Sequence, residues 1–141
     1  MMSKTSVHAL AAVAALARLD PGAYAGAVDI AREIGAPRNY LGKLLKTLAG
    51  AGLLESQKGK GGGFRLARAP ARIPLLEVVE RIEHVDRWSG CILSGGRCSG
   101  KDPCPAHERW ARVRDAYLEF LTDTTVADLA VRDGAARQGR R

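Results

Sequence analysis

Cysteine is scarce in this sequence and confined to one stretch. Of the 141 residues only Cys91, Cys98 and Cys104 carry thiols, and three thiols cannot all pair within one chain, so a disulfide framework would leave one over. Long apolar runs are missing as well. None reaches the ~20 residues that a bilayer-spanning helix needs, so no membrane association is expected. An export signal is not expected either: a single Lys4 precedes the alanine-rich run, His8 lies at its start, and Arg18 closes it before any polar cleavage segment. The expected location is therefore the cytoplasm, where reducing conditions favour metal binding over disulfides. Paired carboxylates in a pocket, and a nucleophile with a nearby histidine outside the cysteine stretch, are also absent from the pattern. The chain is not expected to be an enzyme.

What is present in the cysteine stretch is a flexible loop rich in sulfur. Six residues separate Cys91 from Cys98 and five separate Cys98 from Cys104, with Gly90, Gly95, Gly96 and Gly100 among them. Such a loop can turn its thiolates toward one centre, and His107, three residues past Cys104, adds a nitrogen one helical turn along. Thiolates suit zinc and iron–sulfur clusters alike. The residues leave open a cluster, a zinc-stabilised interaction module and a thiol redox switch.

Charge is unevenly placed. Residues 1–70 carry ten Lys or Arg against four Asp or Glu, whereas residues 71–130 carry eight against ten. A basic first half attracts polyanions, nucleic acid foremost. Shape agrees with charge. Val7, Leu10, Val13, Leu16 and Leu19 recur at helical spacing among alanines, and the helix they predict ends at Asp20-Pro21-Gly22. Val28, Ile30, Ala31 and Ile34 predict a short helix stopped by Gly35, and Pro37 is expected in the first turn of a helix through Tyr40, Leu41, Leu44, Leu45 and Leu48. Two helices joined by so tight a turn make a helix-turn-helix.

In such a unit the start of the second helix enters the DNA major groove. Arg38 can bond guanine and Asn39 adenine, each in a bidentate fashion; Tyr40, Lys43 and Lys46 complete the candidate set. Tyr40 reads equally as a packing aromatic. Next come Leu53 to Gln57 and Phe64 to Arg68, two short strands around Lys58-Gly-Lys60-Gly-Gly-Gly63. This hairpin reads as a wing whose Lys58 or Lys60 can enter the minor groove. It is not a nucleotide-cradling loop, because Phe64 opens a strand where that loop needs a helix. Beyond the wing, Leu75, Leu76, Val78, Val79 and Ile82 predict a helix ending near His84. A long helix follows from Pro105, with Trp110, Val113, Tyr117, Phe120 and Leu121 expected along one side and suited to a second copy of the chain. Thr124, Thr125 or Asp128 opens a last short helix through Leu129.

The run from Asn39 to Leu53, the Lys58-Gly-Lys-Gly-Gly-Gly-Phe64 wing, the helix from Ile73-Pro74 and the three-cysteine loop together resemble the Rrf2 family of bacterial winged-helix regulators over about residues 3–130. The resemblance implies a mainly α fold, a homodimer with crossing long helices, and a palindromic double-stranded DNA operator bound by a repressor that senses iron, redox or nitric oxide status. It implies an iron–sulfur cluster ([2Fe-2S] or [4Fe-4S]) on Cys91, Cys98, Cys104 and His107. It places Asn39, Tyr40 and Lys43 at base-contacting positions, and Lys58 where a wing arginine enters the minor groove. The expected organisation is a winged helix-turn-helix domain over 1–83, a sensor loop over 84–104, a dimerisation helix over 105–130 and a basic tail over 131–141. Four departures stand out: the Cys91–Cys98 spacing is one residue longer than in cluster-binding members, Gly42 replaces a carboxylate, Lys58 an arginine and Lys60 a proline. Those departures bear on cluster type and operator sequence. Some relatives draw the fourth ligand from the partner subunit's first helix at the place of Val7; His8 stands beside that place and is the alternative to His107. Family members without a cluster, controlled by thiol oxidation or a protein partner, are the alternative function.

Overall fold

Helix α1 (Lys4–Ala17) is the element against which the others pack. The computed structural model describes residues 2–85, 90, 93, 101 and 103–131. Ser3 caps α1, its Oγ accepting the Ser6 N–H at 3.1 Å, a device that contributes about 1 kcal/mol to a helix. Ala9, Ala12, Ala14 and Ala15 are buried beside Leu10, Val13 and Leu16, and their small side chains let neighbouring helices come close. Val7 departs from expectation: it is 50% exposed, because the spacing of three drifts off the 3.6-residue period and turns it away from the Ser6–Leu10–Val13 face.

Helix α2 (Ala27–Ile34) ends at Gly35, whose φ of 73° only glycine adopts without strain. Val28, expected inward, is exposed, while Ile30 and Ala31 take the core side. Helix α3 (Arg38–Gly50) buries Leu41, Leu44, Leu45 and Leu48. Full burial of each leucine is worth about 1.5–3 kcal/mol. Pro37 lies one place outside the expected first turn, as the extended residue before it, and its carbonyl accepts the Leu41 N–H at 2.9 Å.

Strands β1 (Leu54–Gln57) and β2 (Gly63–Leu66) pair antiparallel in the register Leu54↔Leu66 to Gln57↔Gly63. Ala25 adds a bridge to Phe64 on the other side of β2. After a 3-10 turn at Pro70–Arg72, α4 (Leu75–Ile82) buries Leu75, Val78 and Val79. Helix α5 (His107–Asp123) and α6 (Val126–Ala130) close the described chain, α6 opening on a capping box between Thr125 and Asp128. Two backbone hydrogen bonds return this end to the N-terminal unit: Leu75 N–H to Thr124 O and Val126 N–H to Ile73 O, both 2.9 Å.

The expected one-sided stripe of α5 divides. Leu121 is fully buried and Tyr117 partly so, toward the core-facing edge of the stripe, while Val113 and Phe120, toward its other edge, stand 48% and 49% exposed. The fold is thus mainly α with a two-stranded wing. No helix among the described residues is long and apolar enough to cross a membrane. Cys91, Cys98 and most of the expected basic tail lie outside the described residues.

Candidate nucleic-acid interface and cysteine segment

The inward leucines of α3 dictate its outward face. With Leu41, Leu44, Leu45 and Leu48 held in the core, Arg38, Asn39, Lys43 and Lys46 are exposed. No side chain caps the helix start, so its backbone N–H groups and the positive end of the helix dipole face the same neighbourhood as Arg38. Tyr40 is half-buried: its hydroxyl lies 3.3 Å from His8 Nδ1 and the two rings meet edge to face. His8 is thereby a half-buried histidine packed on α3. Gly42 has nothing within 4 Å of where a Cβ would stand, so packing does not require glycine there.

The wing carries its charges in two groups. At its base Arg65 donates to Glu55 through Nε at 2.8 Å and lies 2.7 Å from it through Nη2, across the Glu55↔Arg65 register pair, while its guanidinium sits 4.6 Å from the Tyr24 ring centre. The hydrogen bond to Glu55 raises the Arg65 pKa further above its ordinary value. At the tip Lys58 and Lys60 are exposed. Ion pairs among the described residues hold Arg18 to Glu33, Arg32 to Asp29, Arg65 to Glu55, Arg68 to Glu77 and Arg114 to Asp115. Arg38, Lys43, Lys46, Lys58 and Lys60 belong to none of them. The wing is fixed by neutralised arginines, and its tip and α3 offer uncompensated cations.

Gly63 joins this wing to the body. Its φ is 131°, and a Cβ there would stand 2.3 Å from the Ala25 carbonyl oxygen. That close approach lets Phe64 donate to Ala25 O at 2.8 Å and accept from Ala25 N–H at 3.0 Å.

The cysteine segment is anchored at both ends. Cys104 is half-buried just before α5, and its carbonyl accepts the His107 N–H at 3.0 Å. Trp110 donates through Nε1 to the Gly90 carbonyl at 3.0 Å. Gly90, the residue before Cys91, therefore meets the first turns of the helix that carries His107, with Cys104 just ahead of it. Among the described residues no group of three His, Cys, Asp or Glu side chains is arranged to hold a metal; of the four expected ligands, Cys104 and His107 are described and Cys91 and Cys98 are not. Three thiolates and an imidazole are a donor set that fits an iron–sulfur cluster.

The sequence gives no site role to Tyr24 or Glu55, and it places Trp110 only on the apolar stripe of α5. Counting the hairpin register outward from its glycines places Glu55 opposite Arg65. No sequence signal marks the Trp110–Gly90 bond.

A helix-turn-helix followed by a glycine-hinged, lysine-tipped hairpin defines the winged-helix class of DNA-binding proteins. Residues 2–132 match the Rrf2 family, described as an iron-dependent transcriptional regulator, and the chain belongs to that family. It is 31% identical over 131 residues, 92% of this chain and 90% of the relative, to a protein of Aquifex aeolicus named among the HTH-type transcriptional regulators. It is 32% identical over 101 residues to the HTH-type transcriptional regulator IscR of Escherichia coli, a match spanning 72% of this chain and 62% of IscR. Among solved structures, CymR, the global cysteine regulator of B. subtilis, superposes with a TM-score of 0.78 at 27% identity, covering 92% of this chain and 95% of CymR. T. potens IscR superposes at 0.72 and 23% identity, covering 97% of this chain and 96% of that one, a likeness of fold. These relatives are transcriptional regulators rather than enzymes, and so is this chain; regulators of this family bind DNA.

Proposed function

We propose that the chain is a cytoplasmic homodimeric repressor that reads a palindromic operator through α3 and the wing and responds to iron, oxidant or nitric oxide through an iron–sulfur cluster on Cys91, Cys98, Cys104 and His107. The observation that carries the DNA reading is the exposure of Arg38, Lys43, Lys46, Lys58 and Lys60, outside every ion pair among the described residues, on the two elements that a winged helix turns to DNA. Basic side chains that brace the fold are paired with carboxylates, and those on α3 and the wing tip are not. Asn39, Arg38 and Tyr40 supply base contacts, Lys43 and Lys46 contact phosphate or base, and Lys58 and Lys60 enter the minor groove. Residues 1–83 form the reading unit, 84–104 the sensor loop, 105–130 the dimer helix and 131–141 a basic tail.

When bound, the cluster supplies a redox couple and a centre that oxidants, nitric oxide or iron loss alter. The chain's own residues carry the response. Cys104 and His107 sit at the start of α5, Trp110 ties Gly90 to that helix, and Leu121 packs the far end of α5 into the core shared with α1, α3 and α4. A change that shifts α5 biases the placement of α3, and DNA affinity changes by the same coupling free energy.

One observation favours a second reading. S. aureus CymR, 26% identical with a TM-score of 0.71, has been solved in a form described as oxidised, and in the cluster-free reading the same three thiols act as an oxidation switch. The visible absorption spectrum of protein purified without oxygen, with iron and sulfide assayed on the same sample, separates the two. The cluster reading expects a brown protein containing both, bleached in Cys98→Ala. A colourless, iron-free protein that still binds DNA would replace it with the thiol reading.

A further inference from the structure

Tyr40 differs from its neighbours at the start of α3. Arg38, Asn39 and Lys43 are exposed, whereas Tyr40 is half-buried with its hydroxyl 3.3 Å from His8 Nδ1. The rings meet edge to face, centroids 5.5 Å apart and planes at 68°, a geometry that aromatic pairs favour. His8 stands on the deeply packed helix α1, where the adjacent Ala9 and nearby Ala12 have no exposed surface. Its platform cannot shift without opening the core. Tyr40 and His8 together border an open cleft of about 260 Å³, lined also by Lys4, Thr5 and Pro37. A ring beside such a cleft has more than one rotamer open to it, and the contact with His8 selects one.

The contact also sets the polarity of the hydroxyl. A phenol oxygen carries one proton and two acceptor positions. Where Nδ1 lacks a proton, Tyr40 donates to it and turns lone pairs outward, suited to the amino group of adenine or cytosine. Where Nδ1 carries a proton, it donates to Tyr40, whose own O–H turns outward, suited to guanine O6 or N7 or to a phosphate oxygen.

We propose that His8 is a specificity-determining positioning residue for the reading helix: it fixes the Tyr40 ring and sets, through Nδ1, whether the Tyr40 hydroxyl offers DNA a proton or a lone pair. The inference rests on α3 being the recognition helix. His8 needs no DNA contact of its own.

The test uses the full-length protein and the duplexes that the wild type selects from a randomised library. His8→Phe keeps an aromatic ring against Tyr40 and removes Nδ1; His8→Asn keeps a hydrogen-bonding atom on a short side chain. His8→Phe is expected to melt like the wild type, to bind the selected duplex roughly 3- to 10-fold more weakly, the cost of one misdirected hydrogen bond, and on reselection to relax the same base position as Tyr40→Phe. Combined with Tyr40→Phe it adds nothing, and His8→Asn recovers part of the loss. Unchanged preference, weakening of all sequences alike, or full additivity with Tyr40→Phe would overturn the proposal. His8→Leu, read by the same selection, takes the place of His8→Phe if that variant does not melt cooperatively. If Asn39→Ala and Lys43→Ala lose affinity while His8→Phe matches the wild type, only the role of His8 has failed; if none of them loses affinity, the recognition-helix reading has failed with it.

Discussion

Glu83 ties together three helices. It follows α4, and its carboxylate accepts from the Ser3 backbone N–H at the start of α1. Burial pushes its pKa up, but hydrogen bonds from the Ser3 side chain, the Ser3 backbone and Ser6 outweigh that, and the carboxyl is held below its ordinary value. Tyr117 of α5 registers the same carboxylate: burial first, then the charge of Glu83, pushes its phenol up. With the folded value below the unfolded one, Glu83 contributes stability above the ordinary carboxylate range and loses it as pH falls through the folded value. Glu83→Gln should cost on the order of 1 kcal/mol at neutral pH, the site being partly open to solvent. In thermal melts the difference from wild type should shrink as the pH is lowered below the folded carboxylate value; a difference independent of pH would remove the charge from this account. At this scale the sequence is legible only in part. The Ser3 cap is not part of the sequence reading, and a hydrogen bond across 80 residues leaves no local trace.

The elements themselves were more legible, because their periods are local. Gly35 and the leucines of α3 announce the helix-turn-helix, and the structure differs there in turning Val28 outward and in moving Pro37 one place outside the first turn. The α5 stripe does lie along one side, five apolar residues within an arc of about 100°, but only its Leu121 edge reaches the core of the chain. The wing rests on a contact that no pattern reveals, the approach of Gly63 to Ala25. Gly63→Ala should break that bridge and destabilise the protein by about 1–3 kcal/mol. It should also slow the decline of DNA affinity with salt, by releasing the wing from the body. Unchanged melting would contradict the structural role given to Gly63. On α3, Gly42→Ala should raise stability by up to about 1 kcal/mol. Weaker DNA binding by that stabilised variant would mean the helix backbone approaches DNA at this point.

At the scale of the whole molecule, the apolar stripe of α5 has one edge packed in its own core through Leu121 and the other, with Val113 and Phe120, half open. In the proposed dimer that open face meets its copy. Val113→Glu with Phe120→Glu should give a monomer in sedimentation, still folded through Leu121, and weakened on a palindromic duplex far more than on a half-site; an unchanged oligomer would exclude this face as the interface. From the residues alone, a second copy along α5 and a cluster on the cysteine loop are open readings, and the palindromic operator comes only from the Rrf2 resemblance, since each needs atoms beyond this chain. The central claim is that exposed cations on α3 and the wing read DNA, and the most direct measurement is operator affinity against salt for the wild type and for Asn39→Ala with Lys58→Ala. The account predicts that log affinity falls linearly with log salt, that the double variant binds more weakly, and that its slope is shallower by about one unit for the lost lysine–phosphate contact. Equal affinity and an equal slope would contradict it.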